Sequence, residues 1–188
     1  LKEINGVNLW PSQRMALAQA LNIVKENGNV LIAEPTGSGK TRLVSSLRLC
    51  LTHWYIESRK KNRLETLIIC PKVVEGNWEN ESLELSFISQ SQLSMGLLSN
   101  SSKRNKKIIS KKLNNADLLI IDEAHNFLSQ TSKRSQKLED CLADNIVLST
   151  ATLINKKAKD LLRLIELLDV DNLEDEELEE YIQLKKSW

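Results

Sequence analysis

The octapeptide Glu34-Pro35-Thr36-Gly37-Ser38-Gly39-Lys40-Thr41 constrains this chain more than any other stretch. It matches the pattern Gly-x-x-x-x-Gly-Lys-Ser/Thr except that Glu34 stands at the first glycine. The apolar run Asn29 to Ala33 precedes it. From Thr41 to about Ile56, Leu43, Leu47, Leu51 and Trp54 recur every three or four residues. That order predicts a strand, a tight turn and a long helix. Gly37 and Gly39 let successive backbone N–H groups face an anion, and the helix N-terminus adds partial positive charge. Lys40 would bring a point charge to the β- and γ-phosphates of a nucleotide, and the Thr41 hydroxyl a ligand for Mg2+.

Three more aliphatic runs follow, at Thr66–Cys70, Asp117–Ile121 and Asn145–Leu148, with a weaker fifth at Leu85–Ser89. Strands this uniformly apolar are expected where helices cover both faces of a sheet. Helical patterns lie between them: one from an N-cap at Ser12 to about Glu26, stopped near Gly28, and a late one from about Lys156 to Leu168. The alternation predicts an α/β fold with a mainly parallel sheet. At 188 residues the chain is long enough for one hydrophobic core of ordinary size. Residues 1–168 are read as that domain and 169–188 as an acidic helical segment or linker. Leu98 to Ser110, rich in Ser, Asn and Lys, is expected as a mobile surface loop or a solvated helix.

The net charge of +1 hides two opposed segments. Lys103, Arg104, Lys106, Lys107, Lys111 and Lys112 form a basic stretch without an acid, and Asp169 to Glu180 an acidic one without a base. Near-neutrality is therefore no argument against a polyanionic partner. Cys50, Cys70 and Cys141 are odd in number and far apart, which fits neither a disulfide framework nor a Cys-x-x-Cys metal pair. No apolar run approaches the roughly 18–20 residues that span a bilayer, and the first residues lack a secretory signal. A chain of the cytoplasm is expected, nuclear if the source is eukaryotic, with no membrane partner. The absence of an initiating Met before Leu1 reads as a piece of a longer protein.

The second element with chemistry is Leu118-Leu119-Ile120-Ile121-Asp122-Glu123-Ala124-His125. Four aliphatic residues would bury a strand and deliver Asp122 and Glu123 at its carboxyl end, the edge where ligands sit in open α/β sheets. Asp122 suits a Mg2+ contact, and Glu123 suits orienting and deprotonating an attacking water.

The phosphate loop followed by Asp-Glu-Ala-His resembles motifs I and II of the superfamily 2 helicases and translocases. Leu9-Trp10-Pro11-Ser12-Gln13 is similar to that family's upstream glutamine segment, which implies that Gln13 reads the adenine edge. Leu67 to Trp78 resembles motif Ia of the Swi/Snf-type translocases, and the stretch from Asp122 through Leu168 resembles their motifs II to III. The resemblance implies a RecA-like P-loop NTPase lobe that hydrolyses ATP with Mg2+. It implies nucleotide contacts from Gln13, Glu34, Pro35, Thr36, Gly37, Ser38, Gly39, Lys40 and Thr41, and catalysis by Lys40, Asp122 and Glu123. Mg2+ would be held by Thr41 and Asp122. Thr150, Ala151 and Thr152 would be the motif III triplet coupling the nucleotide site to the nucleic-acid groove, with His125 as neighbour. Pro71, Lys72 and Asn77 would contact nucleic acid, DNA in preference to RNA. Thr36, Ser38 and Ala151-Thr152-Leu153 depart from the usual Swi/Snf pattern toward the DEAD/DEAH-box helicases, which points to a compact prokaryotic, phage or viral translocase.

Motors of this superfamily place further motifs, including phosphate-stabilising arginines, on a second RecA-like lobe. The chain reads as the first lobe alone, weak or inactive as an ATPase in isolation. Two other readings are a nucleotide-binding scaffold without productive hydrolysis and the motor portion of a restriction or defence complex. Trp78 is expected to be a core or interface anchor.

Overall fold

The computed structural model describes residues 3–4, 7–59, 62–87, 91–99, 102–129, 132–138, 141–152, 159–168 and 175–186. A two-stranded antiparallel ribbon, β1 (Glu3–Ile4) and β2 (Val7–Asn8), leads into helix α1 (Pro11–Asn27). The main sheet comprises β3 (Asn29–Ala33), β4 (Thr66–Cys70), β5 (Ser91–Ser94), β6 (Leu118–Ile121) and β7 (Asn145–Thr150). All pairings in it are parallel, in the order β3-β7-β6-β4-β5. The helices are α2 (Lys40–Arg59), α3 (Glu75–Glu84), α4 (Met95–Ser99), α5 (Lys103–Asn114), α6 (Lys133–Leu138), α7 (Lys159–Leu167) and α8 (Asp175–Lys186). No helix among the described residues is long and apolar enough to cross a membrane.

Parallel strands need covered faces, and the alternation of side chains supplies both. Ile68 and Cys70 of β4, Leu118 and Ile120 of β6 and Val147 of β7 join one core cluster with Leu17, Val24, Leu43, Leu47 and Trp78 from α1, α2 and α3. Their strand neighbours Leu67, Ile69, Leu119, Ile121 and Leu148 join a second cluster with Leu98, Ile109, Leu113 and Leu164 from α4, α5 and α7. The sheet is thus sandwiched between two apolar layers, the α/β architecture anticipated from the apolar runs.

Several boundaries differ from the sequence expectation. Helix α1 starts at Pro11 rather than after Ser12, because proline at the first helical position needs no N–H partner. The Gln13 side-chain oxygen accepts the Trp10 N–H at 3.0 Å, and Gly28 ends the helix at φ 81° with its N–H on Val24 O. The fifth strand is Ser91–Ser94, not Leu85–Ser89. Leu85 and Ser86 form a turn, Leu85 is buried in the first cluster, and the Phe87 ring lies 3.7 Å from the Arg48 guanidinium carbon. The hydrophobicity of that run therefore serves helix packing; its last residues, 88 and 89, lie outside the described set. Within Leu98–Ser110 the described residues are helical except Ser102, the extended N-cap whose Oγ accepts the Asn105 N–H, and Ile109 lies on the buried face of α5. The late helix is described from Lys159, residues 156–158 lying outside the described set.

The acidic segment is helical in its described part. Tyr181 of α8 is buried, and its hydroxyl donates to Glu166 Oε1 of α7 at 2.8 Å.

Candidate nucleotide site at the carboxyl edge of the sheet

Because neighbouring strands run parallel, the segments that follow them emerge on one edge, in the order of the strands. The phosphate loop after β3, Thr150 to Thr152 at the end of β7, Asp122 and Glu123 after β6, and Pro71 after β4 are lined up there. The Glu34 N–H donates to Thr150 O at 3.2 Å, extending the β3–β7 ladder to the first residue of the loop.

Gly37 and Gly39 have φ of 85° and 79°. Glu34 is not among the residues of positive φ, so the position where the pattern has its first glycine accepts a side chain here without left-handed strain. A Cβ on Gly39 would stand 2.4 Å from Gln13 Nε2, whereas one on Gly37 would meet open space. Gln13 Nε2 in turn donates to Ser38 O at 3.1 Å, so the upstream glutamine braces the loop. With one N–H on Ser38 and one lone pair on Trp10, Gln13 keeps one donor and one acceptor unused among the described residues. Lys40 Nζ donates to Pro35 O at 3.1 Å, holding its charge across the loop. Ser38 Oγ is buried and has no hydrogen-bond partner among the described residues, an orphaned hydroxyl that a phosphate oxygen would satisfy.

Asp122 is 5% exposed and both its carboxylate oxygens are engaged. Oδ1 accepts the Glu123 N–H at 2.9 Å, and Oδ2 accepts the Trp78 indole N–H at 3.0 Å. The Asp122 N–H bonds Ile69 O, so the backbone stays tied to β4 one residue past the strand. Burial, followed by the fields of Asp122, Glu75 and Glu79, pushes the neighbouring Cys70 thiol up to about 12.

Glu123 adopts the left-handed conformation, φ 51° and ψ 50°, which costs a residue with a Cβ about 1–2 kcal/mol. The turn points its carboxylate toward His125, whose Nδ1 lies 3.2 Å from Glu123 Oε2 and 3.2 Å from Thr150 Oγ1. Asn126 Nδ2 stands 3.3 Å from His125 Nε2. In the tautomer with its proton on Nδ1, that proton is shared between Glu123 Oε2 and Thr150 Oγ1, and Nε2 accepts from Asn126. Thr150 Oγ1 donates to Thr152 O and accepts the Thr152 N–H, both at 3.1 Å. A continuous polar chain therefore runs from Glu123 through His125 to the residues after β7; Ala151 sits within it, half-buried.

A cavity of about 460 Å3 opens beside the loop, lined among others by Trp10, Gln13, Gly39, Thr41, Arg42 and Asn77. Asn77, expected to contact nucleic acid beside Lys72, lies on the wall of this cavity. Pro71 precedes a short 3-10 turn, Lys72–Val74, in which Lys72 is exposed. Sequence reasoning missed Arg42, whose guanidinium reaches Glu81 at 3.1 Å and Glu84 at 2.5 Å and clamps α3 to the first turn of α2. It also missed Trp10, 61% exposed at the cavity rim. An aromatic directly before a helix-opening proline was the available signal for Trp10; the Arg42 clamp joins separate elements and leaves no local pattern.

The family model of the SNF2-related domain matches residues 86–184, just over half of the chain. A curated relative, the bifunctional helicase and thymine dioxygenase JBP2 of Trypanosoma cruzi (strain CL Brener), is 27% identical over an aligned length of 194 residues that covers 87% of this chain. Among solved structures, the Sulfolobus solfataricus SWI2/SNF2 ATPase core in complex with dsDNA is similar at a TM-score of 0.71 and 20% identity over 90% of this chain. The chain spans 17% of the length of the first and 37% of the second. The likeness of fold identifies the sheet and its helices as a RecA-like lobe.

Proposed function

The chain belongs to the SNF2-related domain family, and from that premise we propose that it is the nucleotide-binding lobe of a DNA-dependent ATPase that couples ATP hydrolysis to movement along its polymer. The observation that carries this reading is the convergence of Lys40, Asp122, Glu123 and Thr150 at the carboxyl ends of three adjacent parallel strands. Ligands in open α/β sheets bind at that edge.

The donor set fits ATP with Mg2+. The glycine turn, the free Ser38 hydroxyl and Lys40 suit the phosphates, and Thr41 with Asp122 suits the cation, which when bound would neutralise charge developing on the transferring phosphoryl group. Lys40 leaves Pro35 O for the phosphates. Glu123 would orient and deprotonate the attacking water, with its carboxylate held by His125. Gln13 keeps a donor and an acceptor for the base while bracing the loop. The Glu123–His125–Thr150 chain carries the state of the nucleotide site toward the segment after β7.

DNA as the polymer is supported by the structural neighbour, which is bound to dsDNA, and by the helicase named among the relatives. Pro71 and Lys72, at the exposed end of β4, are assigned to the phosphate backbone, a contact that gives affinity without sequence preference. The α8 segment would lead on to a second RecA-like lobe that supplies arginines to the transferring phosphate, an addition worth about 10³–10⁵ in rate. The test is ATP hydrolysis by the full-length protein with duplex DNA, single-stranded DNA and RNA in parallel. Stimulation by DNA that vanishes in Glu123→Gln is expected. Equal turnover with and without every polymer would refute a nucleic-acid motor, and strong DNA stimulation of the 188-residue chain alone would refute the need for a second lobe.

A further inference from the structure

Trp78 is fully buried, and a buried indole N–H normally finds an acceptor. Here the acceptor is Asp122 Oδ2, at 3.0 Å, while the Glu123 N–H takes Oδ1 at 2.9 Å. Two donors arriving on different oxygens fix the plane of the carboxylate. The helix that delivers the indole is itself anchored at the other side of the site, because Arg42, next to Thr41, holds Glu81 and Glu84 of α3. Helix α3 is thus fastened to both segments that would share the cation, Thr41 through Arg42 and Asp122 through Trp78.

We propose that Trp78 is a positioning residue for Asp122, orienting its carboxylate for Mg2+ from helix α3. The proposal rests on the nucleotide-site reading above. Partners that hydrogen-bond a metal-ligating group commonly set metal affinity by about 10–100-fold, and an indole N–H does so without adding charge to the site.

The experiment measures binding of a fluorescent, non-hydrolysable ATP analogue to the full-length protein as Mg2+ is titrated. Wild type is compared with Trp78→Phe and with a protein carrying benzothienylalanine at position 78, which keeps the shape of the indole and replaces the N–H by sulfur. The half-saturating Mg2+ concentration is expected to rise about 10-fold or more in both. Binding of the analogue in EDTA should be unchanged. Wild-type Mg2+ dependence in the benzothienyl protein would overturn the proposal. So would equal loss of binding with and without Mg2+, which would mark Trp78 as packing alone. Failure of the nucleotide-site reading would show differently, as absence of Mg2+-dependent binding in wild type.

Discussion

His125 Nδ1 stands 3.2 Å from Thr150 Oγ1, joining the turn after β6 to the end of β7 through one imidazole that also touches Glu123. Residues in one hydrogen-bond network lose stability non-additively. His125→Ala and Thr150→Val combined should therefore cost less than the sum of the single losses, with a coupling of about 0.5–1.5 kcal/mol in chemical denaturation. Strict additivity would show that the 3.2 Å approach carries no energy.

Glu123 combines an unfavourable backbone with a catalytic assignment, and the two separate by substitution. Glu123→Gly and Glu123→Ala both delete the carboxylate and its contact with His125, but only glycine relieves φ 51°. Glu123→Gly should be more stable than Glu123→Ala by about 1–2 kcal/mol, read from denaturant midpoints. Glu123→Gln should retain Mg2+-dependent nucleotide binding while hydrolysis falls by about 10²–10⁴-fold. Loss of nucleotide binding in Glu123→Gln would assign the residue to structure instead.

Three of the four strands legible in the sequence, β4, β6 and β7, lie inside the sheet, and the fourth, β3, is an edge strand carrying the aliphatic run Val30-Leu31-Ile32. Thr66–Cys70 is buried at every position, so composition alone delimits it. Ser91-Gln92-Leu93-Ser94 was missed because Leu93 is its one aliphatic residue: among the described residues it is an edge strand paired with β4 alone, and an edge can be far less apolar, although the opposite edge, β3, keeps Val30, Leu31 and Ile32. The phosphate loop and the Asp-Glu pair were legible because their chemistry is local in sequence. The contacts that orient them were not: Trp78 with Asp122, Arg42 with Glu81 and His125 with Thr150 each join separate elements, and only the strand order brings them together. Asn77 shows the same limit, since its wall of the cavity depends on how α3 lies over α2.

Lys40 Nζ rests on Pro35 O at 3.1 Å, a neutral acceptor that a phosphate oxygen would outcompete through charge. Lys40→Ala should weaken nucleotide binding and lower turnover of the full-length protein by at least about 10²-fold, the scale on which removing one preorganised donor acts. Turnover close to wild type would remove the phosphate-loop assignment.

The docking of α8 on α7 should weaken at alkaline pH. Glu166 Oε1 accepts from both Tyr181 Oη and Lys185 Nζ at 2.8 Å, and Glu166 Oε2 accepts from Arg163 at 2.8 Å. Burial, then the hydrogen bond to Glu166, raises the Tyr181 hydroxyl above its ordinary 10.0; the hydrogen bond to Glu166 raises Lys185 above its ordinary 10.5. Both groups hold their protons more tightly folded than unfolded. Their contribution is therefore complete below those ordinary values and is lost as pH climbs through the raised ones. Tyr181→Phe should cost about 1 kcal/mol at neutral pH, the usual worth of a hydrogen bond to a carboxylate in a partly exposed setting. The difference from wild type should shrink when denaturation is repeated from about pH 8 to about pH 11. A constant difference over that range would mean that Tyr181 supports the α7–α8 contact through its ring rather than its hydroxyl.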